Sequence, residues 1–225
     1  MVVPPVKPYF PDEDITQIKE DVEKILRSGM LTLHKYTREF EERFADLCGV
    51  KYAVAVNSGT SALEIALRSL KLADGDEVLV PTNTFTSTAA AVFFAGGKPV
   101  FTDVDPNTLC IDANNVEKCL TSKTRGVIVV HVGGLICPEI KEIMEICKDK
   151  GLFLIEDAAH AHGSTINGQH AGSLGDVGCF SFYPTKVMTT GEGGMITTNN
   201  DETAETAKIL RDQGKESFHS NKLVR

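Results

Sequence analysis

The sequence of 225 residues has no apolar run that approaches the roughly 18 residues of a membrane-spanning helix. Its first fifteen residues, MVVPPVKPYFPDEDI, are interrupted by four prolines and lack the continuous apolar run of a signal peptide. Repeats and low-complexity segments are absent as well. These absences predict a protein that has neither a leader nor a membrane anchor.

Paired cysteine motifs are also missing. None of the six cysteines forms a CxxC pair, and several lie in apolar runs, so neither a disulfide framework nor a zinc site is expected. Reduced thiols and a cytoplasmic location fit this pattern. His160 and His162 form an HxH pair, but no third ligand follows at a suitable spacing, and we predict no metal.

Positive charge is scarce and scattered. Lysine and arginine total 23 against 31 acidic residues, which gives a net charge of −8. No basic cluster of the kind that binds nucleic acid is present. With 42% hydrophobic and 24% charged residues, the chain has the composition of an ordinary globular protein. Its length suits one large domain, although two small ones would also fit.

What the sequence does contain is an alternation of strand and helix patterns. Two amphipathic helices are predicted first, over 14–27 and about 37–47, with Gly29 ending the first. Seven apolar strands follow, at 52–56, 77–80, 99–103, 126–131, 153–156, 179–182 and 195–198. Helices are predicted between several of them, starting at Gly59, over 86–95 and up to Gly151, and a last one over about 202–213. This pattern predicts an α/β fold of three layers, α/β/α, around a mostly parallel seven-stranded sheet.

Ligands of such sheets bind beyond the carboxyl ends of the strands. The segment Asn57–Ser61 follows a strand and opens a helix, where free N–H groups and the helix dipole attract phosphate. Gly59 permits close approach, and the hydroxyls of Thr60 and Ser61 add donors. An ordinary helix N-cap would explain the same residues.

Two further strand ends carry reactive side chains. Asp157 ends an apolar strand, where a carboxylate can keep a pyridinium nitrogen protonated; a helix cap or a magnesium ligand is the competing interpretation. Lys186 follows the strand end at Ser181 and precedes the glycine-rich TTGEGG turn. A loop lysine is usually a solvated charge, but this setting also suits a lysine that forms a Schiff base.

Phe85 and His160 are weaker candidates. Phe85 follows another strand and could stack on a flat ring, or it could be an ordinary core residue. For His160 we favour a hydrogen bond to a cofactor or to the backbone over metal binding.

In this order the motifs SGTSAL, PTNTF, EDAAHAHG, FSFYPTK and TTGEGG resemble the DegT/StrS-type sugar aminotransferases, which have the aspartate-aminotransferase fold (fold type I) and use pyridoxal 5′-phosphate (PLP). The resemblance covers nearly the whole chain. It implies transfer of an amino group from L-glutamate to a keto sugar of a nucleotide-linked hexose, in amino-sugar biosynthesis for a surface polysaccharide or glycoconjugate. It also implies a homodimer whose subunits share the active sites.

The resemblance assigns roles to individual residues. Lys186 matches the lysine that binds PLP as a Schiff base, and Asp157 matches the partner of the pyridinium nitrogen. His160 matches a residue that contacts the phenolic oxygen of the ring, and Phe85 matches the aromatic ring that stacks on PLP. The phosphate contacts are implied for Thr60, Ser61 and Ser181, beside Gly59.

Members of that family are longer and carry a smaller carboxyl-terminal domain, which this chain, ending at Arg225, is expected to lack. Residues 1–225 are accordingly interpreted as the PLP-binding large domain, with a helical arm over about 1–50. Weak PLP binding and poor activity are expected of the chain alone. His131-Val132-Gly133-Gly134 departs from relatives that have an aromatic residue before the glycine.

Two alternatives remain open. A PLP-dependent sugar dehydratase of the same family would have histidine in place of the Schiff-base lysine, so Lys186 favours transamination. A catalytically silent or regulatory protein on the same fold is the other alternative, because a fold does not fix a function.

Overall fold

The computed structural model describes residues 7–215. The helices are α1 (Asp12–Ser28), α2 (Lys35–Cys48), α3 (Gly59–Ser69), α4 (Thr86–Phe94), α5 (Ala113–Cys119), α6 (Ile140–Lys150) and α7 (Asp201–Arg211). The strands are β1 (Tyr52–Val56), β2 (Glu77–Pro81), β3 (Lys98–Thr102), β4 (Thr124–Val130), β5 (Phe153–Asp157), β6 (Thr165–Ile166), β7 (Gln169–His170), β8 (Val177–Ser181) and β9 (Gly194–Thr198). A short 3-10 turn, Val132–Gly134, follows β4.

Seven strands form one sheet in the order β1-β9-β8-β5-β4-β2-β3. The four adjacent pairs from β8 to β3 are parallel, and only β9 runs against its neighbours β1 and β8. The predicted mostly parallel seven-stranded sheet is therefore confirmed. Because β9 is reversed, its first residue, Gly194, lies beside the last residue of β8, Ser181. The carboxyl ends of β5 and β8 thus meet the start of β9 at one edge.

Helices cover both faces of the sheet, which confirms the three-layer architecture. On one face, here called the α2 face, α2, α5 and α6 bury side chains that include Phe44, Val116 and Ile143. On the other, the α3 face, α3, α4 and α7 bury Leu63, Val92, Ala207 and their neighbours. The central strands contribute apolar side chains to both faces, as expected for a buried parallel sheet.

The amino-terminal arm divides into two different helices. In α1 no residue is buried, and its apolar residues Ile15, Ile18, Val22 and Leu26 are exposed. In α2, by contrast, Phe44, Ala45 and Cys48 are part of the core. Residues 1–6 of the predicted arm, and the end of the chain at Arg225, lie outside the described residues.

The sequence patterns missed two features. Helix α5 is only seven residues long, too short for an apolar period to be visible. The hairpin of β6 and β7 has two residues in each strand and turns at Asn167 and Gly168, both of which have positive φ. Within residues 7–215, no helix is both long and apolar enough to cross a membrane.

Candidate active site

Asp157 is the last residue of β5 and lies at the carboxyl edge of the sheet with only 6% of its surface exposed. The Thr88 hydroxyl donates a hydrogen bond to its Oδ2 at 2.7 Å, and the Ala159 N–H donates to Oδ1 at 3.3 Å. The N–H of His131 donates to the backbone carbonyl of Asp157 at 3.1 Å. The carboxyl group is therefore buried, and the hydrogen bonds that it accepts hold it in one orientation. A group that binds a protonated ring nitrogen needs these same properties.

The amino terminus of α3 lies against the end of β8. A Cβ on Gly59 would come within 2.8 Å of the Ser181 Cβ, and a Cβ on Gly194 would come within 2.2 Å of the Ser58 carbonyl oxygen. Glycine at both positions is what allows the helix terminus to pack this closely on the strands. The turn is fixed further by Ser58, whose Oγ accepts the Ser61 N–H at 3.1 Å.

This cap leaves two donors free at the start of α3. The Ser61 N–H is used by Ser58, and the Thr60 hydroxyl shares a hydrogen bond of 2.7 Å with Ser87. Among the described residues, the N–H groups of Gly59 and Thr60 have no acceptor. Two unpaired N–H groups on a helix amino terminus form an anion site, and the Ser181 hydroxyl lies next to it.

Lys186 lies in a loop that is closed onto the end of β8. The carbonyl of Phe182 accepts the Thr190 N–H at 3.1 Å and the Thr189 hydroxyl at 2.9 Å, and the Phe182 N–H donates to Gly193 at 2.8 Å. The lysine is half-buried, and burial lowers the pKa of its amine, while the charge of Asp157 opposes that shift. Within residues 7–215 no carboxylate forms an ion pair with this amine, so a larger fraction of it is unprotonated and nucleophilic than for a surface lysine.

His160 and Phe85 border the same edge. Burial and the charge of Lys186 lower the pKa of His160, so its ring is neutral at pH 7 and can donate or accept a hydrogen bond. Phe85 precedes the first residue of α4 and is 77% exposed, so its ring is free to stack. The sequence-predicted residues thus come together at one edge of the sheet, on β5, β8 and the termini of α3 and α4.

Three buried polar residues of this region were given no role in the site from the sequence. Thr88 is fully buried against Asp157. Glu156 is fully buried on the opposite side of β5, where it accepts hydrogen bonds from His131 and from three backbone N–H groups. His162 is buried among Phe44, Phe180 and Phe182.

A sequence signal did exist for Glu156, which is a charged residue inside an apolar strand. Among the residues that the structure describes, no group of three or more histidine, cysteine, aspartate or glutamate side chains is arranged to hold a metal ion.

Comparison with known proteins agrees with this geometry. The model of the DegT/DnrJ/EryC1/StrS aminotransferase family matches residues 12–224. The chain belongs to this family. The resemblance inferred from the motifs is thereby confirmed, as is the fold-type-I architecture.

Curated members of the family are similar over most of this chain. GDP-perosamine synthase of Caulobacter vibrioides is 46% identical over 180 residues, which are 80% of this chain and 48% of that protein. The UDP-N-acetyl-3-dehydro-alpha-D-glucosamine 3-aminotransferase of Acidithiobacillus ferrooxidans is 41% identical over 209 residues, 92% of this chain and 56% of that protein. The chain thus spans about half the length of these relatives.

A solved structure of the family contains a form of the cofactor. NtdA of Bacillus subtilis, with bound cofactor PMP, superposes with a TM-score of 0.88 at 32% identity, covering 96% of this chain and 49% of that one.

The residues at the edge of the sheet fit PLP, the cofactor of the family. A phosphate needs donors, and the N–H groups of Gly59 and Thr60 are unpaired among the described residues. A pyridinium nitrogen needs a fixed acceptor, and the oriented carboxyl group of Asp157 fits that requirement. A Schiff base needs an amine with a lowered pKa, and the amine of Lys186 fits that requirement.

Proposed function

We propose that this chain forms the PLP-binding part of an aminotransferase that moves an amino group from L-glutamate to a keto group on a nucleotide-linked hexose. The observation that carries the proposal is the convergence of Lys186, Asp157 and the free amino terminus of α3 at one edge of the sheet. The nucleotide-linked substrate is suggested by the relatives, two of which carry GDP or UDP in their names. A role in polysaccharide or glycoconjugate biosynthesis is part of the same proposal.

Each residue would have a separate task. PLP, when bound, supplies an electron sink that stabilises negative charge on the substrate carbon next to the nitrogen. Lys186 would hold the cofactor covalently and, once released from it, move the proton of the substrate. Asp157 would keep the ring nitrogen protonated, and His160 would hold the phenolic oxygen. Gly59, Thr60, Ser61 and Ser181 would bind the phosphate, with Phe85 stacked on the ring.

Borohydride reduction tests the central assignment. The chain is incubated with PLP and reduced, and peptide mapping locates the pyridoxyl group, which is expected on Lys186. Lys186→Arg keeps a cation in the loop but cannot form a Schiff base, so it should yield no adduct in the loop 182–193. An adduct on a different lysine in the unaltered chain would refute the assignment.

The amino donor is tested by a half-reaction. The PLP-loaded chain is mixed with L-glutamate, and loss of the visible absorbance of the Schiff base is followed together with 2-oxoglutarate formation. Conversion with glutamate but not with glutamine or alanine would support the proposed donor. Faster conversion with glutamine or alanine than with glutamate would contradict it.

We also propose that the chain pairs with a second copy so that the active sites are shared. Large apolar side chains are exposed on the loops that follow the carboxyl ends of β2, β3, β4 and β8, namely Phe85, Leu109, Leu135, Tyr183, Val187 and Met188. Apolar surface around a polar site is typical of a surface that another subunit covers. Light scattering measures this directly, and a monomer with stoichiometrically bound PLP would contradict the proposal.

A further inference from the structure

Two threonines lie at the start of α4, where Thr84 precedes the N-cap residue Phe85 and Thr88 is in the first helical turn. Thr88 has none of its surface exposed, and its hydroxyl donates to Oδ2 of Asp157 at 2.7 Å. Thr84 Oγ1 lies 2.6 Å from Thr88 Oγ1. A hydroxyl has one proton, and an ionised carboxylate only accepts. With the Thr88 proton directed at Asp157, the second bond must be donated by Thr84.

Thr88 makes the shortest hydrogen bond to the side chain of Asp157. The contact to Oδ1 from the Ala159 N–H is longer, at 3.3 Å, and the bond from His131 at 3.1 Å reaches the backbone carbonyl, so it does not orient the carboxyl group. Rotation of the carboxyl plane is therefore restrained mainly by Thr88.

The same turn contacts two other parts of the site. Phe85 precedes α4 and presents its ring at the edge of the sheet, and the Ser87 hydroxyl bonds to Thr60 at 2.7 Å, on the terminus of α3. One helical turn therefore connects the stacking ring, the anion site and the acid. This links the position of Thr88 to the parts of the site that would hold the two ends of the cofactor.

We propose that Thr88, with its proton directed by Thr84, is a positioning residue that holds the carboxyl group of Asp157 aimed at the ring nitrogen of PLP. This inference rests on the proposed function. No contact between Thr88 and PLP is proposed, and Thr88 affects the cofactor only through Asp157.

The test uses four variants of the chain. Thr88→Val keeps the shape and removes the donor, and Thr88→Ser restores the donor. Thr84→Val removes only the residue that directs the Thr88 proton. Thr203→Val is the matched control, because Thr203 is also buried, in the first turn of α7, and does not contact Asp157. Urea unfolding is measured for every variant, so that Thr84→Val can replace Thr88→Val if the latter does not fold.

Two readouts separate positioning from a general structural effect. Crystal structures of the PLP-free variants show the orientation of the Asp157 carboxyl group. Titration with ring-¹⁵N-labelled PLP gives the dissociation constant and, by NMR, the protonation of the ring nitrogen. We expect Thr88→Val to rotate Asp157, to weaken PLP binding about tenfold and to lower the protonated fraction at neutral pH. Thr84→Val should have a smaller effect, and Thr88→Ser should match the unaltered chain.

An unmoved Asp157 carboxyl and a fully protonated ring nitrogen in Thr88→Val would overturn the inference, as would failure of Thr88→Ser to restore both. If the unaltered chain binds no PLP, the proposed function fails. The orientation of Asp157 in the PLP-free crystals would then still decide whether Thr88 positions it.

Discussion

Glu156 and Asp157 are adjacent buried acids at the end of β5, yet the two sides of the strand use them differently. Successive side chains of a strand point to opposite faces, so Glu156 enters the α2 face and Asp157 the α3 face. The two oxygens of Glu156 accept four hydrogen bonds, from His131 Nε2 at 2.9 Å and from the N–H groups of Gly172, Leu174 and Gly175 at 2.7–2.8 Å. Asp157 accepts two, from Thr88 and Ala159.

We propose that the difference separates a structural acid, Glu156, from a functional one, Asp157. All four hydrogen bonds that Glu156 accepts are donated by groups of the protein itself. The three backbone N–H donors tie the loop before β8 to the sheet. His131 Nδ1 accepts the Cys137 N–H, so Nε2 carries the proton that is given to Glu156. Asp157 retains acceptor capacity at the carboxyl edge, where a ligand can use it. Mutations should therefore affect stability at one residue and chemistry at the next.

The largest effect on stability is expected for Glu156→Gln. Each carboxylate oxygen of Glu156 accepts two hydrogen bonds, and the amide of glutamine replaces one of these oxygens with an NH₂ group. Two of the four donors would then face another donor instead of an acceptor. We expect the free energy of unfolding to fall by about 4 kcal/mol. Urea unfolding measures this, with Glu20→Gln on exposed α1 as the control, for which a change below about 0.5 kcal/mol is expected. Equal stabilities of the two variants would remove the structural role of Glu156.

The second prediction concerns His162, on the α2 face with Glu156. Burial, together with the charges of Lys186 and His160, lowers the pKa of His162 to about 4, and the backbone of Ser181 opposes that shift. Among the described residues no group forms a hydrogen bond of normal geometry with either ring nitrogen. The unfolded chain, with a histidine pKa of about 6.5, binds the proton more readily than the folded chain.

The contribution of His162 to the free energy of unfolding should therefore be constant above pH 6.5 and fall by about 3 kcal/mol as the pH drops from about 6.5 to about 4. Unfolding in urea at a series of pH values measures this slope. In His162→Phe the contribution disappears, because phenylalanine does not titrate and suits the surrounding cluster of Phe44, Phe180 and Phe182. The same slope in both proteins would show that His162 is not the group responsible.

Much of this fold was predictable because its signals are local. Continuous apolar strands between amphipathic helices predict a parallel sheet with two covered faces, and Gly29 and Gly151 end helices where expected. The order of the strands and the reversed direction of β9 depend on pairing between distant segments, about which single-strand patterns carry no information.

In the candidate site, too, the residues with local signals were predictable and those that depend on distant partners were not. Lys186, Asp157 and the α3 terminus could be found because each follows a strand, and strand ends of a parallel sheet share an edge. Thr88 could not be recognised from position alone, because a threonine in an apolar helix is usually a packing residue and its partner lies 69 residues away. The structural role of Glu156 likewise became visible only with its donors, which lie 16 to 25 residues away in the sequence.

On the α3 face, Asp157→Asn tests whether Asp157 has a chemical role that Glu156 lacks. The amide keeps one acceptor oxygen, so unfolding should become easier by about 1 kcal/mol or less. A neutral amide cannot hold the ring nitrogen protonated, and the half-reaction with glutamate should slow about a hundredfold, equivalent to ~2.7 kcal/mol of activation free energy. Stopped-flow absorbance of the PLP-loaded chain measures this rate. A near-normal rate would mean that Asp157, like Glu156, is structural.

The smallest effect is expected for Phe85, which precedes α4 on the α3 face and is not part of the buried core. Its ring is 77% exposed, so Phe85→Ala should leave the free energy of unfolding within about 0.5 kcal/mol of the unaltered chain. Stacking of an aromatic ring on PLP contributes about 1 kcal/mol, so PLP affinity should fall roughly fivefold. Phe93→Ala is the matched control, because Phe93 is also exposed, at 70%, and lies at the far end of α4, whose N-cap is Phe85. Fluorescence titration with PLP compares the two variants. Equal loss of affinity in both would attribute the effect to α4 as a whole and exclude stacking by Phe85.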